Sequence, residues 1–150
     1  MWFRSCRRCK VDDWGSGATR GMHRQLTIQT EPIDEPALLR QRKLPNTTGA
    51  VVCFLGVVRG HEAGAGIRAL EYEVFEKMAL HQFGLLCDAV EKRWPVESVR
   101  LVHRVGVVPV NAPSLWVEVV APHRGEAFAA SQWLIDEMKR VVPIWKRVVS

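Results

Sequence analysis

The stretch PHRGEAFAASQWLIDEMKRVVPIWK, residues 122–146, decides how this chain is read. Ala127, Ser131, Leu134, Met138 and Val141 recur at helical spacing, so one face of the segment is buried. Pro143 has no backbone N–H to donate and disfavours helix at Val142, which predicts a helix ending about there. Lys139 then falls in the last helical turn. Lys146 lies past the break, where helical geometry no longer fixes its direction. A chain reversal at Val142-Pro143 would bring both lysines to one pocket with His123 and Arg124. Two amines, a guanidinium and an imidazole in one place suit a small, multiply charged anion. On these residues alone a plainer reading stays open. Lysine near a helix C-terminus complements the helix dipole, and a His-Arg pair is commonly part of a polar loop.

The segments around this stretch set the fold class. Ser114–Val120 reads as a strand with Leu115, Val117 and Val119 on one face, and it delivers the chain to His123. Ile144–Val149 reads as a closing strand. Nearer the N-terminus, His23–Thr30 alternates loosely as a strand, and Asp34 caps a short helix over Pro36–Lys43. Ala50–Val58 is a nearly continuous apolar run rich in β-branched residues, the pattern of a central strand. Arg59–Gly66 is glycine-rich and charged, which fits either a loop that lets backbone approach a ligand or a plain hairpin connection. No Gly-Lys-Ser/Thr follows it, so a Walker-type phosphate loop is not supported. Ile67–Phe75 alternates as a second strand, antiparallel to the first, with room for a bulge at Leu70. Glu76–Trp94 is a helix with Ala79, Phe83, Leu86, Val90 and Trp94 on one face, stopped by Pro95. His81 falls off that stripe and is assigned to the surface. Ser98–Val105 is a third strand, in which His103 and Arg104 alternate across the sheet and are read as structural. Val107–Pro113 is a turn-rich link. Two long helices against a mostly antiparallel sheet make an α+β domain.

Composition narrows the function classes. At 150 residues, 47% hydrophobic and 25% charged, the chain suits one soluble globular domain. No run approaches the ~18 apolar residues of a membrane span. The net charge of +5 is concentrated at one end. Residues 1–21 carry Arg4, Arg7, Arg8, Lys10 and Arg20 against Asp12 and Asp13, while the remaining chain is nearly neutral. A basic face interleaved with aromatics is missing, which argues against nucleic acid as a partner. Residues 1–21 lack apolar periodicity and are read as a flexible N-terminal extension, with the domain spanning 22–150. They also lack the apolar core of a secretory signal. Cys6 and Cys9 form a C-x-x-C without a second pair, so a structural zinc site is not expected. Four cysteines without a secretory signal read as reduced thiols in the cytoplasm.

The motifs GAVVCFLGVVRG, LEYEVFEKMA, a Trp-Pro pair, HRVG, PHRGEAF and IDEMKRVVPIWKR follow one another over about Gly49–Arg147. In this order and spacing the chain resembles the large, catalytic subunit of molybdopterin synthase. The resemblance implies a hammerhead-like α/β fold with a small extra β-subdomain, forming a homodimer within a heterotetramer. It also implies a sulfurtransferase of molybdenum cofactor biosynthesis that uses no metal and no cofactor. A small ubiquitin-like partner would insert its C-terminal tail, which ends in a glycine thiocarboxylate. Sulfur would be transferred twice in this way to cyclic pyranopterin monophosphate, one atom from each loaded tail, to form the molybdopterin dithiolene. By the same resemblance Lys139 is the main catalytic residue and Lys146 its partner in substrate binding and proton transfer, while Arg59, His123, Arg124 and Arg147 hold the substrate's phosphate. The chemistry suits those residue types. Sulfur attack builds negative charge that an ammonium stabilises, and a lysine crowded by other cations is suited to move protons.

Two departures from the family pattern stand out. The family has a glutamate two residues after the second lysine, WK-x-E, where this chain has Val148. The family also runs on with further polar residues, where this sequence ends at Ser150. These departures leave an alternative from another class, a catalytically weakened relative that serves as a binding module for a ubiquitin-like partner.

Overall fold

The computed structural model describes residues 9–12 and 21–150. In chain order the elements are β1 (Cys9–Asp12), β2 (His23–Gln29), α1 (Glu35–Arg40), β3 (Ala50–Val57), β4 (His61–Glu62), β5 (Ala65–Gly66) and β6 (Ala69–Val74). There follow α2 (Glu76–Arg93), β7 (Ser98–Arg104), β8 (Gly106–Pro109), β9 (Pro113–Ala121), α3 (Arg124–Val141) and β10 (Ile144–Val149). The α+β expectation holds, with a third, short helix beside the two long ones.

The larger sheet has five strands in the order β1-β2-β7-β9-β3, and the smaller has three in the order β10-β6-β8. After Pro113 every residue of β9 is buried, because this strand is flanked by β7 and β3 and covered on both faces. Its Leu115, Val117, Val119 and Ala121 enter the main core with Ala79, Phe83, Leu86 and Val90 of α2 and Ala127, Ala130, Leu134 and Met138 of α3. Fully burying a Leu or Phe of this kind contributes roughly 1.5–3 kcal/mol, so the two helical stripes are the main glue of the domain. On the opposite face Trp116 packs with Ile33 and Val102. There Glu118, 1% exposed, accepts from Arg100 Nε at 2.8 Å and from Arg42 at 2.7 Å. Arg100 also donates to the Leu38 carbonyl at 2.9 Å, which ties α1 to the sheet. The α1 cap is the expected one, Asp34 Oδ1 accepting from the Ala37 N–H at 3.0 Å.

Three expectations are corrected. The apolar run Ala50–Val57 is an edge strand, not a central one, with Cys53, Leu55 and Val57 exposed. The strand Ala69–Val74 does not pair with it. It is the middle of the smaller sheet, antiparallel to β10 and β8. Within the segment read as a turn-rich link, residues 107–109 belong to strand β8. Gly106, at φ 79°, lets the chain leave β7 and enter the other sheet there. Cys9–Asp12, inside the segment read as an extension, pairs antiparallel with Leu26 and its neighbours on β2. Cys6 lies outside the described residues, so the C-x-x-C reading does too.

Candidate active site

The candidate site is built where β3, the β4–β5 hairpin and β10 meet. Val58 is fixed by its N–H to the Ala112 carbonyl at 3.1 Å, and Arg59 follows it, exposed, at the end of β3. The chain then turns back through a two-residue hairpin loop. Ala63 (φ 50°) and Gly64 (φ 82°) both adopt left-handed backbone, as a tight hairpin twist demands. The hairpin is closed by Ile67 N–H on the Gly60 carbonyl, 3.0 Å. Its exit is tied to the end of β10 by Arg68 N–H on the Val149 carbonyl, 3.1 Å. That tether brings Glu62 to Lys146. The Lys146 ammonium donates to Glu62 Oε1, and Arg59 donates to Glu62 Oε2 at 3.4 Å. Arg59 and Lys146, far apart in sequence, therefore share one carboxylate. The adjacent ammonium holds the Glu62 carboxyl below its ordinary value.

Lys146 lies directly across from Tyr72 in the β10–β6 register, and Tyr72 meets the His103 ring edge-on at 5.3 Å. His103 is buried, and its Nδ1 bonds the Arg104 carbonyl at 2.8 Å, so Nδ1 carries the proton. Burial pushes its pKa down, leaving a neutral imidazole. This agrees with the structural role read for His103. Cys53 and Cys87 are free. Burial raises both thiols, Cys87 to about 11, so neither is a ready thiolate.

Lys139 stands in the last turn of α3, exposed, and has no hydrogen-bond or ion-pair partner among the described residues. The helix ends as expected. Val142 N–H closes on the Met138 carbonyl at 3.0 Å, and the Pro143 carbonyl accepts from Phe75 N–H at 3.2 Å. The reversal carries the chain straight into β10, so Lys146 sits on the strand that follows the C-terminal end of α3.

His123 and Arg124 belong to its other end. They cap and open an 18-residue helix that is about 27 Å long at 1.5 Å per residue. The sheet gives the same answer. Ala50, at the start of β3, pairs with Ala121 just before His123, whereas Arg59 follows the far end of that eight-residue strand, about 26 Å away. The single pocket expected from sequence therefore does not form within one chain. Arg59 and Lys146 come together, with Lys139 at the same end of α3, and His123 and Arg124 do not join them. Arg147 also departs from its expected place. It faces Glu71 directly across the β10–β6 register and bonds it, with Glu73 at 3.8 Å, on the opposite face of the strand from Lys146.

Sequence reasoning did not place Glu62 or Tyr72 beside Lys146. Tyr72 follows from the alternation of its strand. For Glu62 the only local signal is the hairpin loop Ala63-Gly64 beside it, since its partner is distant in sequence.

The sequence model of the MoaE protein family matches residues 28–141. The chain belongs to the MoaE family. A curated relative from Staphylococcus carnosus, named molybdopterin synthase catalytic subunit, is 37% identical over 126 residues, covering 84% of this chain and 83% of its own. A Drosophila virilis protein of the same name is 38% identical over 113 residues. There the chain spans about a third of the relative's length, 33%, against 75% of its own. The crystal structure of molybdopterin synthase from Staphylococcus aureus superposes with a TM-score of 0.74 at 30% identity, covering 89% of this chain and 93% of that one. The family resemblance and the α+β class read from the motifs are thus both borne out. Among the described residues of this MoaE family member, no group of three or more His, Cys, Asp or Glu could hold a metal ion, and no helix is long and apolar enough to cross a membrane.

Proposed function

We propose that this chain is the catalytic subunit of a molybdopterin synthase, a cytoplasmic sulfurtransferase. It takes sulfur from the C-terminal thiocarboxylate of a small ubiquitin-like partner and passes it to cyclic pyranopterin monophosphate, forming the dithiolene; for each sulfur, water cleaves the acyl–sulfur bond and the partner leaves with a C-terminal carboxylate. The observation that carries this reading is the meeting of Arg59 and Lys146 near the Lys139 end of α3, in a chain of this family. The division of labour follows from chemistry. The guanidinium of Arg59 presents a planar donor fork to a phosphate oxygen, and the ammonium of Lys146 a point charge. Lys139, with no competing partner, is available to stabilise charge that develops as sulfur adds to carbon, and to deliver a proton to the departing oxygen. The partner's sulfur is the nucleophile, so Cys53 and Cys87 need no part in the step.

The distance along α3 supports a homodimer. His123 and Arg124 can hold the same phosphate as Arg59 only if they come from a second copy. In a twofold dimer each site then takes its lysines from one protomer and its His-Arg pair from the other, completing a heterotetramer with two small partners. Arg147, turned to Glu71, has the weakest claim to a substrate contact.

The test is reconstitution. The chain, a thiocarboxylated small partner and the pterin precursor together should give dithiolene product. Partner binding without product would favour the alternative, a docking module that no longer turns over.

A further inference from the structure

Lys146 is on an exposed edge strand, and a lysine side chain there has many rotamers. Something must aim it if it is to act at one atom. The residue two positions on, Val148, lies on the same face of β10 and is 45% exposed, but carries no carboxylate. The carboxylate that meets the ammonium comes instead from the hairpin. We infer that Glu62 is the positioning residue of this site, delivered by the β4–β5 loop to orient Lys146 in place of a carboxylate on β10. The inference rests on the catalytic reading above, and it assigns a role to a residue outside the motifs that suggested that reading.

Three observations support it. Glu62 is 20% exposed, more enclosed than either cation it holds, at 52% for Lys146 and 79% for Arg59. Its two oxygens are divided, Oε1 to Lys146 and Oε2 to Arg59, so one group sets the spacing of both. Its backbone is built for the purpose, with left-handed Ala63 and Gly64 beside it and the Arg68–Val149 hydrogen bond locking the hairpin to β10. Glu62 acts through Lys146 and touches no reacting atom.

The experiment compares wild type, Glu62→Gln and the double variant Glu62→Gln/Val148→Glu in sulfur transfer, with the thiocarboxylated partner and the pterin precursor. Glu62→Gln keeps the size of the side chain and removes the charge. It should lower kcat by about tenfold and change KM for the pterin by less than about twofold, since Arg59 and the second copy's His-Arg pair still hold the phosphate, while the aim of Lys146 as proton-transfer partner matters most in the transition state. Restoring a carboxylate on the Lys146 face at position 148 should recover most of the loss, which a merely structural defect would not allow. The contact is also read without turnover. The carboxyl carbon of Glu62, followed by NMR, should titrate at higher pH in Lys146→Met than in wild type. A wild-type chain that transfers no sulfur overturns the catalytic reading and this role with it. An active wild type whose Glu62→Gln variant keeps its kcat overturns this inference alone. So does a variant that only binds the pterin more tightly, because Glu62 would then be a competitor for the two cations. An unmoved Glu62 titration in Lys146→Met overturns the contact itself.

Discussion

Lys139 owes its place to the last turn of α3, whose buried neighbours Leu134, Ile135 and Met138 fix the helix beneath it. Its own side chain contributes little to that packing. Lys139→Ala should therefore lower sulfur transfer by at least about 100-fold, the usual scale for losing a general acid or a charge stabiliser, and leave the melting temperature nearly unchanged. Turnover and a thermal melt on the same sample check both halves. His103 makes a different kind of statement. Burial disfavours its charged form, so the unfolded chain binds a proton that the folded chain resists. Stability from this group is present above the unfolded value of about 6.5 and is lost as pH falls below it. Wild type should lose denaturation midpoint between pH 7.5 and 5.5, and His103→Gln should show a shallower loss. The depressed carboxyls of Glu62, Glu91 and Glu137 act lower, losing their contribution as pH falls below the ordinary glutamate range, so the two effects separate by pH.

Among the elements, the junction of β3 with α3 allows no side chain at position 49. Gly49 donates its N–H to the Ala121 carbonyl at 3.1 Å, and a Cβ there would sit 2.1 Å from the Pro122 carbonyl oxygen. That atom is backbone and cannot rotate away. Gly49→Ala should cost about 1–3 kcal/mol, read as a lower denaturation midpoint, by forcing the strand and the helix entry apart. The elements themselves were largely legible in the sequence. The helices over 76–93 and 124–141 carry a strong 3.6 period, and Pro95 and Pro143 mark their ends. What periodicity did not carry was pairing. The Ala50–Val57 run is apolar on both faces, which suggests a central strand, yet Leu55 and Val57 are exposed at a sheet edge. Residues 106–109 form a strand only because Tyr72 and Glu71 lie beside them, and no local pattern of Gly, Val and Pro announces that. The two-sheet division is likewise a long-range outcome, resting on β10 returning to β6 from the far end of the chain.

At the scale of the molecule, the residue types of the candidate site were readable and their arrangement was not. A motif such as PHRGEAF followed by WK states that cations are present, but it is silent on the helix of about 27 Å that separates the two groups. That separation yields a test of assembly. Let Lys139→Ala and Arg124→Ala each inactivate their own homodimer. If every site draws its lysine from one protomer and its arginine from the other, a mixed dimer holds one site with both residues intact and one with neither. Random mixing of equal amounts makes half of the dimers mixed, so co-expression should restore about a quarter of wild-type turnover per dimer, a consequence of twofold symmetry alone. Sites built wholly within one chain would give no recovery, because each protomer would carry its own defect into every dimer. The measurement is turnover of the co-expressed mixture against the two variants purified separately and combined only in the assay cuvette, where subunits have had no chance to exchange. Recovery in the first and not in the second places the two ends of α3 in one site across the dimer.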